Sequence, residues 1–488
     1  NSLATPLEMV VRSDGSTLYV AAFGSSKVGV FDTGELENDS FVPDASDHIT
    51  LSGGGPTGLV LDETNERLYV LTRFDNAVKV VDTNAATEIA AHPLHNPEPE
   101  AVVSGRRFLY DAMATSSNGE ASCSSCHVFG DLDSLGWDLG NPDEEMLPNP
   151  NPIGPIGSSQ PFHPMKGPMT TQTLRGMQNH GPMHWRGDRT GAYAEANSEP
   201  DGGAFNEHLA FLEFNPAFEG LIGRDEGEIS HADMERFAEF ILEVMLPPNP
   251  IRSLDNSLTA GQASARTFYF NNISDGIATC NGCHELDASQ GFFGANGRTT
   301  FENEPQEFKI AHLRNLYAKV GMFGMPNVSF LNIAPADRNF TGDQIRGFGY
   351  LHDGSIDTVF HFFRATVFGF PGGDAQRRQM EDFMFAFDTD LAPIVGQQTT
   401  LSAGNGATVG PRIDLLVQRA STPFVLKDLP GARECDLVVK GAIAGEERGF
   451  VWRPASSAFQ SDRAGEPPIS DAALRALVAQ PGSSPFTY

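Results

Sequence analysis

Cys123-Ser124-Ser125-Cys126-His127 and Cys280-Asn281-Gly282-Cys283-His284 are two copies of one pattern, C-x-x-C-H, and the rest of the chain is organised around them. The pattern is the attachment signature of a c-type haem. Two thiols one helical turn apart can each form a thioether with a vinyl group of one porphyrin. The imidazole that follows is then directed at the iron as its proximal ligand. The competing readings are chance and a zinc site built from Cys and His. With 5 Cys and 13 His in 488 residues, an accidental C-x-x-C-H is expected in about one such chain per thousand. Two copies that together use four of the five cysteines are not an accident. The sequence therefore predicts two covalently bound haems c, attached through Cys123, Cys126, Cys280 and Cys283, with His127 and His284 on the irons.

The surrounding composition fits an exported redox protein. A net charge of −30, from 63 acidic and 33 basic residues, argues against nucleic acid and against an anionic membrane surface. It suits a basic redox partner or, more simply, solubility in a salty medium. No run of 18 apolar residues exists to span a membrane. The chain opens Asn1-Ser2-Leu3 without a charged and apolar leader, so a signal peptide is expected to have been removed or left out. Covalent haem attachment takes place outside the bacterial cytoplasm, which places the protein in the periplasm or at the cell surface. For Cys435 two readings stand, a buried thiol or half of a disulfide whose partner lies beyond the 488 residues; export favours the second.

Residues 1–111 read as an antiparallel β segment. Leu18-Tyr19-Val20 recurs as Leu68-Tyr69-Val70, and Val28-x-Val30-x-Asp32-Thr33 as Val78-x-Val80-x-Asp82-Thr83, both at an offset of 50 residues. Apolar and polar residues alternate between turn signals such as Ser13-Asp14-Gly15, the mark of a β-meander. Period and pattern resemble the blades of a YVTN-type β-propeller. A third copy begins at Phe108-Leu109-Tyr110 and runs into the first haem motif, and fewer than three blades cannot close a ring. The missing blades are expected from a longer chain or another subunit; a small sheet with no toroid is the alternative.

Residues 112–250 form the first haem domain and 251–400 the second. A helix is expected from His231 to Met245, stopped by Pro247-Pro248, and another from Leu258 to Phe270 leading into Cys280. Asp131, Asp133 and Asp138 form an acidic loop that could hold Ca²⁺, although the Gly and terminal Glu of an EF-hand are missing and turn roles fit better. Residues 401–488 read as a β-rich tail with strand-like runs at 437–439 and 449–452 and a helix over 471–478 capped by Ser470. The fold expected is therefore mixed: a mainly α, cytochrome c-like di-haem core with long loops, flanked by the N-terminal β segment and the tail.

C-x-x-C-H supplies one axial ligand per iron. Laying the two haem regions over each other aligns Leu174-Arg175-Gly176 with Leu313-Arg314-Asn315, and seven residues further on stand Met183 and Met322. A thioether favours ferrous iron and raises the potential, so Met183 and Met322 are the parallel candidates for the distal positions. His184 is the main rival on the first haem, with His163 and His180 behind it. Met325 and His361 are the rivals on the second, and a gap-filling core role is the alternative for any Met.

The order of these motifs resembles the di-haem cytochrome c peroxidase and MauG superfamily over residues 100–400. The family's stretches after each haem are matched by Thr173-Leu174-Arg175 with His184-Trp185-Arg186-Gly187, and by Leu313-Arg314-Asn315 with His352-Asp353-Gly354-Ser355. The resemblance implies that Trp185 lies between the haems and relays electrons, and that a high-potential haem feeds a site where peroxide is reduced. Three functions follow. The favoured one is electron transfer through two six-coordinate haems. The second is a peroxidase-like or MauG-like oxidoreductase acting on peroxide, a protein or a small molecule, with His163, His184 or Glu207 as acid–base group. The third is a propeller-based surface binding protein with accessory haems.

Overall fold

The 50-residue repeat folds as two four-stranded antiparallel meanders, and their register repeats with the sequence. β1 (Pro6–Val11), β2 (Thr17–Ala22), β3 (Lys27–Asp32) and β4 (His48–Thr50) form one sheet in sequential order; β5 (Pro56–Asp62), β6 (Arg67–Thr72), β7 (Ala77–Asp82) and β8 (Thr87–Pro93) form the other. Tyr19 lies opposite Val10 and Val30, and Tyr69 lies opposite Val60 and Val80. The computed structural model describes residues 2–96, 98–138, 168–185, 187, 189, 206–294, 299–300, 308–321, 325, 327, 331–342, 348–389, 391–424 and 431–488.

Alternation sends successive residues to opposite faces, and the sheets share one cluster containing Tyr19, Val28 and Ile49 from the first and Leu68, Val70 and Val81 from the second. Equivalent residues therefore meet opposite fates. Tyr19 is 4% exposed and Tyr69 38%; Ala21 is fully buried and Leu71 is 38% exposed. With Val60 and Ile89, Tyr69 and Leu71 make an exposed apolar face on the second sheet.

Each C-x-x-C-H region is framed by a helix pair. α1 (Glu100–Tyr110) precedes the first motif and packs on α2 (His231–Glu243). They approach at Gly105, where a Cβ would lie 2.1 Å from the carbonyl oxygen of Arg236 and 2.4 Å from Phe240 Cβ. The Ser230 hydroxyl caps α2 by accepting from Asp233 N at 3.2 Å. In the second region α3 (Ala260–Asn271) packs on α4 (Gly373–Phe385), with Tyr269 against Phe383 and Phe387. A capping box starts α3: Gln262 N donates to Thr259 Oγ1, and Thr259 N donates to Gln262 Oε1.

The C-terminal region is a five-stranded sheet ordered β9 (Thr400–Leu401), β13 (Phe486–Thr487), β10 (Val438–Ile443), β11 (Glu446–Arg453) and β12 (Ala458–Ser461). It carries α5 (Gly406–Ser421) and α6 (Asp471–Leu477), and its core gathers Ile413, Leu416, Val439, Trp452, Phe459, Leu474 and Phe486. Ser470 caps α6 through Ala473 N.

The expected mainly α character is not what the chain adopts. Four-stranded, four-stranded and five-stranded antiparallel sheets stand at its two ends, and two-stranded ladders run through both C-x-x-C-H regions, such as Gly136–Trp137 with Met169–Thr170 and Leu286–Asp287 with Phe292–Phe293. Among the described residues no barrel closes. The physical reason lies in the glycines and prolines of these two regions, which break them into turns between their helix pairs. Among the described residues no helix is long and apolar enough to cross a membrane.

Two glycines test the helix packing with opposite signs. Gly105→Val should lower the urea-unfolding free energy by about 1–3 kcal/mol, because the obstructing atom belongs to backbone. Gly261→Ala, in α3 with nothing within 4 Å of the added Cβ, should raise it by about 0.5–1 kcal/mol.

Candidate functional site

Both C-x-x-C-H stretches fold into the same tight turn. Cys123–Ser125 is a 3₁₀ turn in which Ser122 N donates to Ser125 Oγ at 3.1 Å; Cys280–Cys283 is a helical turn capped by Thr279 Oγ1, which accepts from Gly282 N at 3.0 Å. In each, the histidine N–H closes the motif onto the first cysteine's carbonyl: His127 to Cys123 at 2.9 Å and His284 to Cys280 at 2.8 Å. That shared bond fixes the spacing of the two thiols.

The imidazoles are held in the same way. His127 Nδ1 lies 2.8 Å from the carbonyl oxygen of Gln172. His284 Nδ1 lies 2.7 Å from that of Gly294 and 3.2 Å from that of Ala311. A carbonyl only accepts, so Nδ1 carries the proton and Nε2 keeps its lone pair. Burial lowers both pKa values, which favours the neutral imidazole. A neutral ring with Nδ1–H anchored and Nε2 bare is the form a metal ligates. The Tyr269 hydroxyl also donates to the His284 carbonyl.

The thiols do not resemble a redox pair. Burial pushes Cys123 up to about 12 and raises Cys126 and Cys280, whereas redox C-x-x-C motifs depend on a lowered thiol. Among the described residues no disulfide joins any cysteine, the half-buried Cys435 included. Nor, among them, do three His, Cys, Asp or Glu side chains converge on a point, as the four donors of tetrahedral zinc must.

Of the distal candidates, Met183 is fully buried in the apolar cluster to which Cys123 belongs, and its N–H donates to Arg189 O at 2.9 Å. Met322 and His163 lie outside the described residues. Met325, the rival on the second side, is fully buried in the cluster that contains Cys280. His184 is half-buried, with its ring edge-on to Phe214 at 4.6 Å. Glu207 Oε1 accepts from Gly181 N at 3.4 Å, which ties it to the turn after His180. His361 is buried, and its Nδ1 donates to Asp357 Oδ1 at 2.7 Å. The Asp357 carbonyl in turn accepts from Gly321 N at 2.6 Å, one residue before Met322. In the acidic loop, Asp131 pairs with Arg175, and Asp133 accepts from Leu135 N and from the Trp137 indole.

Trp185 joins the two regions. Its indole N–H donates to Thr170 O at 2.8 Å, and its carbonyl accepts from Lys309 N at 2.8 Å. The sequence reading missed the basic groups around it. Lys309 Nζ and Lys319 Nζ lie 5.7 and 5.3 Å from the ring centroid. Arg314, fully buried, donates to Gly176 O at 2.6 Å across the regions, and the His180 ring meets the His312 ring edge-on at 4.8 Å. The available signal was the grouping of Lys309, Arg314 and Lys319 in eleven residues of a chain poor in basic residues.

Native folds leave few buried polar atoms unsatisfied, yet several concentrate here: Thr170 Oγ1, Asn179 Oδ1, His180 Nδ1, Asn315 Oδ1 and Tyr317 OH. They are of mixed sense: the hydroxyls of Thr170 and Tyr317 can donate, whereas the amide oxygens of Asn179 and Asn315 only accept.

Neither a family model nor a curated protein matches the chain. Among solved structures, hydrazine synthase of Kuenenia stuttgartiensis pressurised with 20 bar xenon is similar over 60% of this chain and 89% of that one, at 18% identity and a TM-score of 0.37. A second structure of the same organism's hydrazine synthase covers 19% and 24%, at 22% identity and a TM-score of 0.16. The periplasmic gluconolactonase PpgL of Pseudomonas aeruginosa covers 20% and 28%, at 20% identity and a TM-score of 0.17. Likenesses this distant have no bearing on function.

His180 and His312 are each held well below the ordinary histidine value, by burial first and then by neighbouring charged and imidazole groups. The unfolded chain therefore binds protons below about pH 6.5 that the folded chain does not. Stability should fall as pH drops from 7 towards 5, and His180→Phe should flatten that slope; urea unfolding at a series of pH values reads both.

Proposed function

We propose that the chain is an exported di-haem c-type cytochrome of the periplasm or cell surface whose work is electron transfer. One observation carries this reading. Two neutral imidazoles, each directly after a cysteine pair, spend Nδ1 on a backbone carbonyl and leave Nε2 as a lone pair. Cys123, Cys126, Cys280 and Cys283 would hold the two porphyrins, which supply one-electron ferric/ferrous chemistry when bound. The chain's own residues orient the axial imidazoles, bury them from water and fix the two halves relative to each other. Met183, buried in the cluster of Cys123, is the proposed distal ligand on the first side, and a thioether there would raise the potential. Trp185, bonded to Thr170 on one side and Lys309 on the other, is the proposed electron relay between the two sites. The charge of −30 suits a basic redox partner.

The motif order that resembles the di-haem peroxidase and MauG superfamily gives a second reading, a peroxidase-like oxidoreductase. The Asp357–His361 pair favours it. A buried imidazole oriented by a carboxylate, beside the backbone that leads to Met322, has the form of an acid–base group.

Cys280→Ala with Cys283→Ala should leave one covalent haem per chain by intact mass, against two in the parent; retention of two would refute the attachment assignment. Met183→Ala should add a high-spin component to a ferric spectrum that is otherwise low-spin. A parent spectrum that is already partly high-spin and changes on adding peroxide would favour the second reading.

A further inference from the structure

We propose that two apolar faces of the N-terminal sheets, one on each sheet, dock on each other between copies of this chain, head to tail. The proposal stands apart from the haem reading. It starts from the 50-residue repeat, which gives each sheet the same two faces. The front carries Val10, Tyr19 and Val28 in the first sheet and, at the same repeat positions, Val60, Tyr69 and Val78 in the second. The reverse carries Met9, Val11 and Val20 in the first and Leu59, Leu61 and Val70 in the second.

Within the chain this pair of faces is already used once. Tyr19 and Val28 share one core with Leu68 and Val70, and Val10, Leu59 and Leu61 pack against it. The front of the first sheet therefore covers the reverse of the second. The opposite faces are left open. On the front of the second sheet Val60 is 65% exposed, beside Tyr69 and Leu71. On the reverse of the first, Met9 is 64% and Val11 48% exposed. Leu3, whose Cδ1 stands 2.6 Å from where a Gly29 Cβ would lie, and the Phe31–Phe41 ring pair shield the β3 side of that reverse face. Its β1 side stays open. Contiguous exposed apolar residues on an ordered sheet mark an interaction site.

The seam inside the chain says what covers them. The open front repeats the positions that cover Leu59 and Val70, and the open reverse repeats the positions that are covered. A second copy of the chain carries both, so the seam between copies continues the seam within one. Because front meets reverse, the contact is heterologous and closes as a ring. Two, three or four copies would bring four, six or eight sheets together, within the roughly four to eight at which toroids of such sheets close. The charge of −30 opposes the approach of two chains. The facing side chains named here are uncharged, however, and exposed charges are screened beyond about 8 Å at physiological salt. Association should therefore strengthen as salt is added.

The test is the mass of the whole chain in solution, by analytical ultracentrifugation over a series of concentrations. The parent is compared with Val60→Lys and Leu71→Lys on the front and with Met9→Lys and Val11→Lys on the reverse. All four positions are exposed, and two variants per face keep the test valid if one fails to fold. The parent should form a discrete assembly of about two to four copies, favoured by sodium chloride, and each variant should be a monomer. A front variant mixed with a reverse variant should give a dimer and nothing larger, because one intact front meets one intact reverse. A parent that stays monomeric at every concentration overturns the proposal. So does a reverse variant that still dimerises alone, since front would then be meeting front.

Discussion

Two hydrogen bonds from imidazole Nδ1 to backbone carbonyls, His127 to Gln172 and His284 to Gly294, are the interaction on which the functional account depends. They choose the tautomer, aim the ring and leave Nε2 as the only nitrogen able to bind iron. A carboxylate in place of the carbonyl would give the ring more imidazolate character and a lower iron potential. A carbonyl leaves the ring neutral.

The carbonyls are themselves positioned by a joint between the two halves. Gln172 follows Thr170, whose N–H donates to His352 O in the other region at 2.7 Å and whose carbonyl takes the Trp185 proton. Ala311, the second acceptor for His284, follows Lys309, whose N–H is bonded to Trp185 O. Arg314 then reaches back to Gly176. The two segments that set the axial imidazoles, 169–176 and 308–315, are thus cross-linked to each other. A displacement of one would be felt at both histidines. On the proposed di-haem reading, this cross-link would couple the two sites as one redox unit.

Much of the local structure was legible. The 50-residue repeat became two sheets in matching register, because alternation sets both the strands and their pairing. The helix expected over 231–245 forms at His231–Glu243, and the Ser470 cap is made. What the residues could not convey were interactions without a side-chain signature: the acceptors of His127 and His284 are backbone, and Gln172, Gly294 and Ala311 advertise nothing. Lys309 and Lys319 drew no reading from the sequence, and only the fold turns them towards Trp185. The core was expected to be mainly α from the helices read over 231–245 and 258–270 and from the cytochrome c-like motifs; the glycines and prolines between the helices make turns and short ladders instead. The helix Gly406–Ser421 went unread, since Gly410 and Pro411 interrupt its pattern.

The central claim is that Nε2 of His127 and of His284 each ligates an iron. Anomalous diffraction from crystals of the exported protein, collected across the iron edge, tests it directly. The account predicts two iron peaks per chain, each at bonding distance from one of these two nitrogens. Absence of iron peaks, an anomalous signal at the zinc edge beside the cysteine pairs, or iron bound at Nδ1 would contradict it.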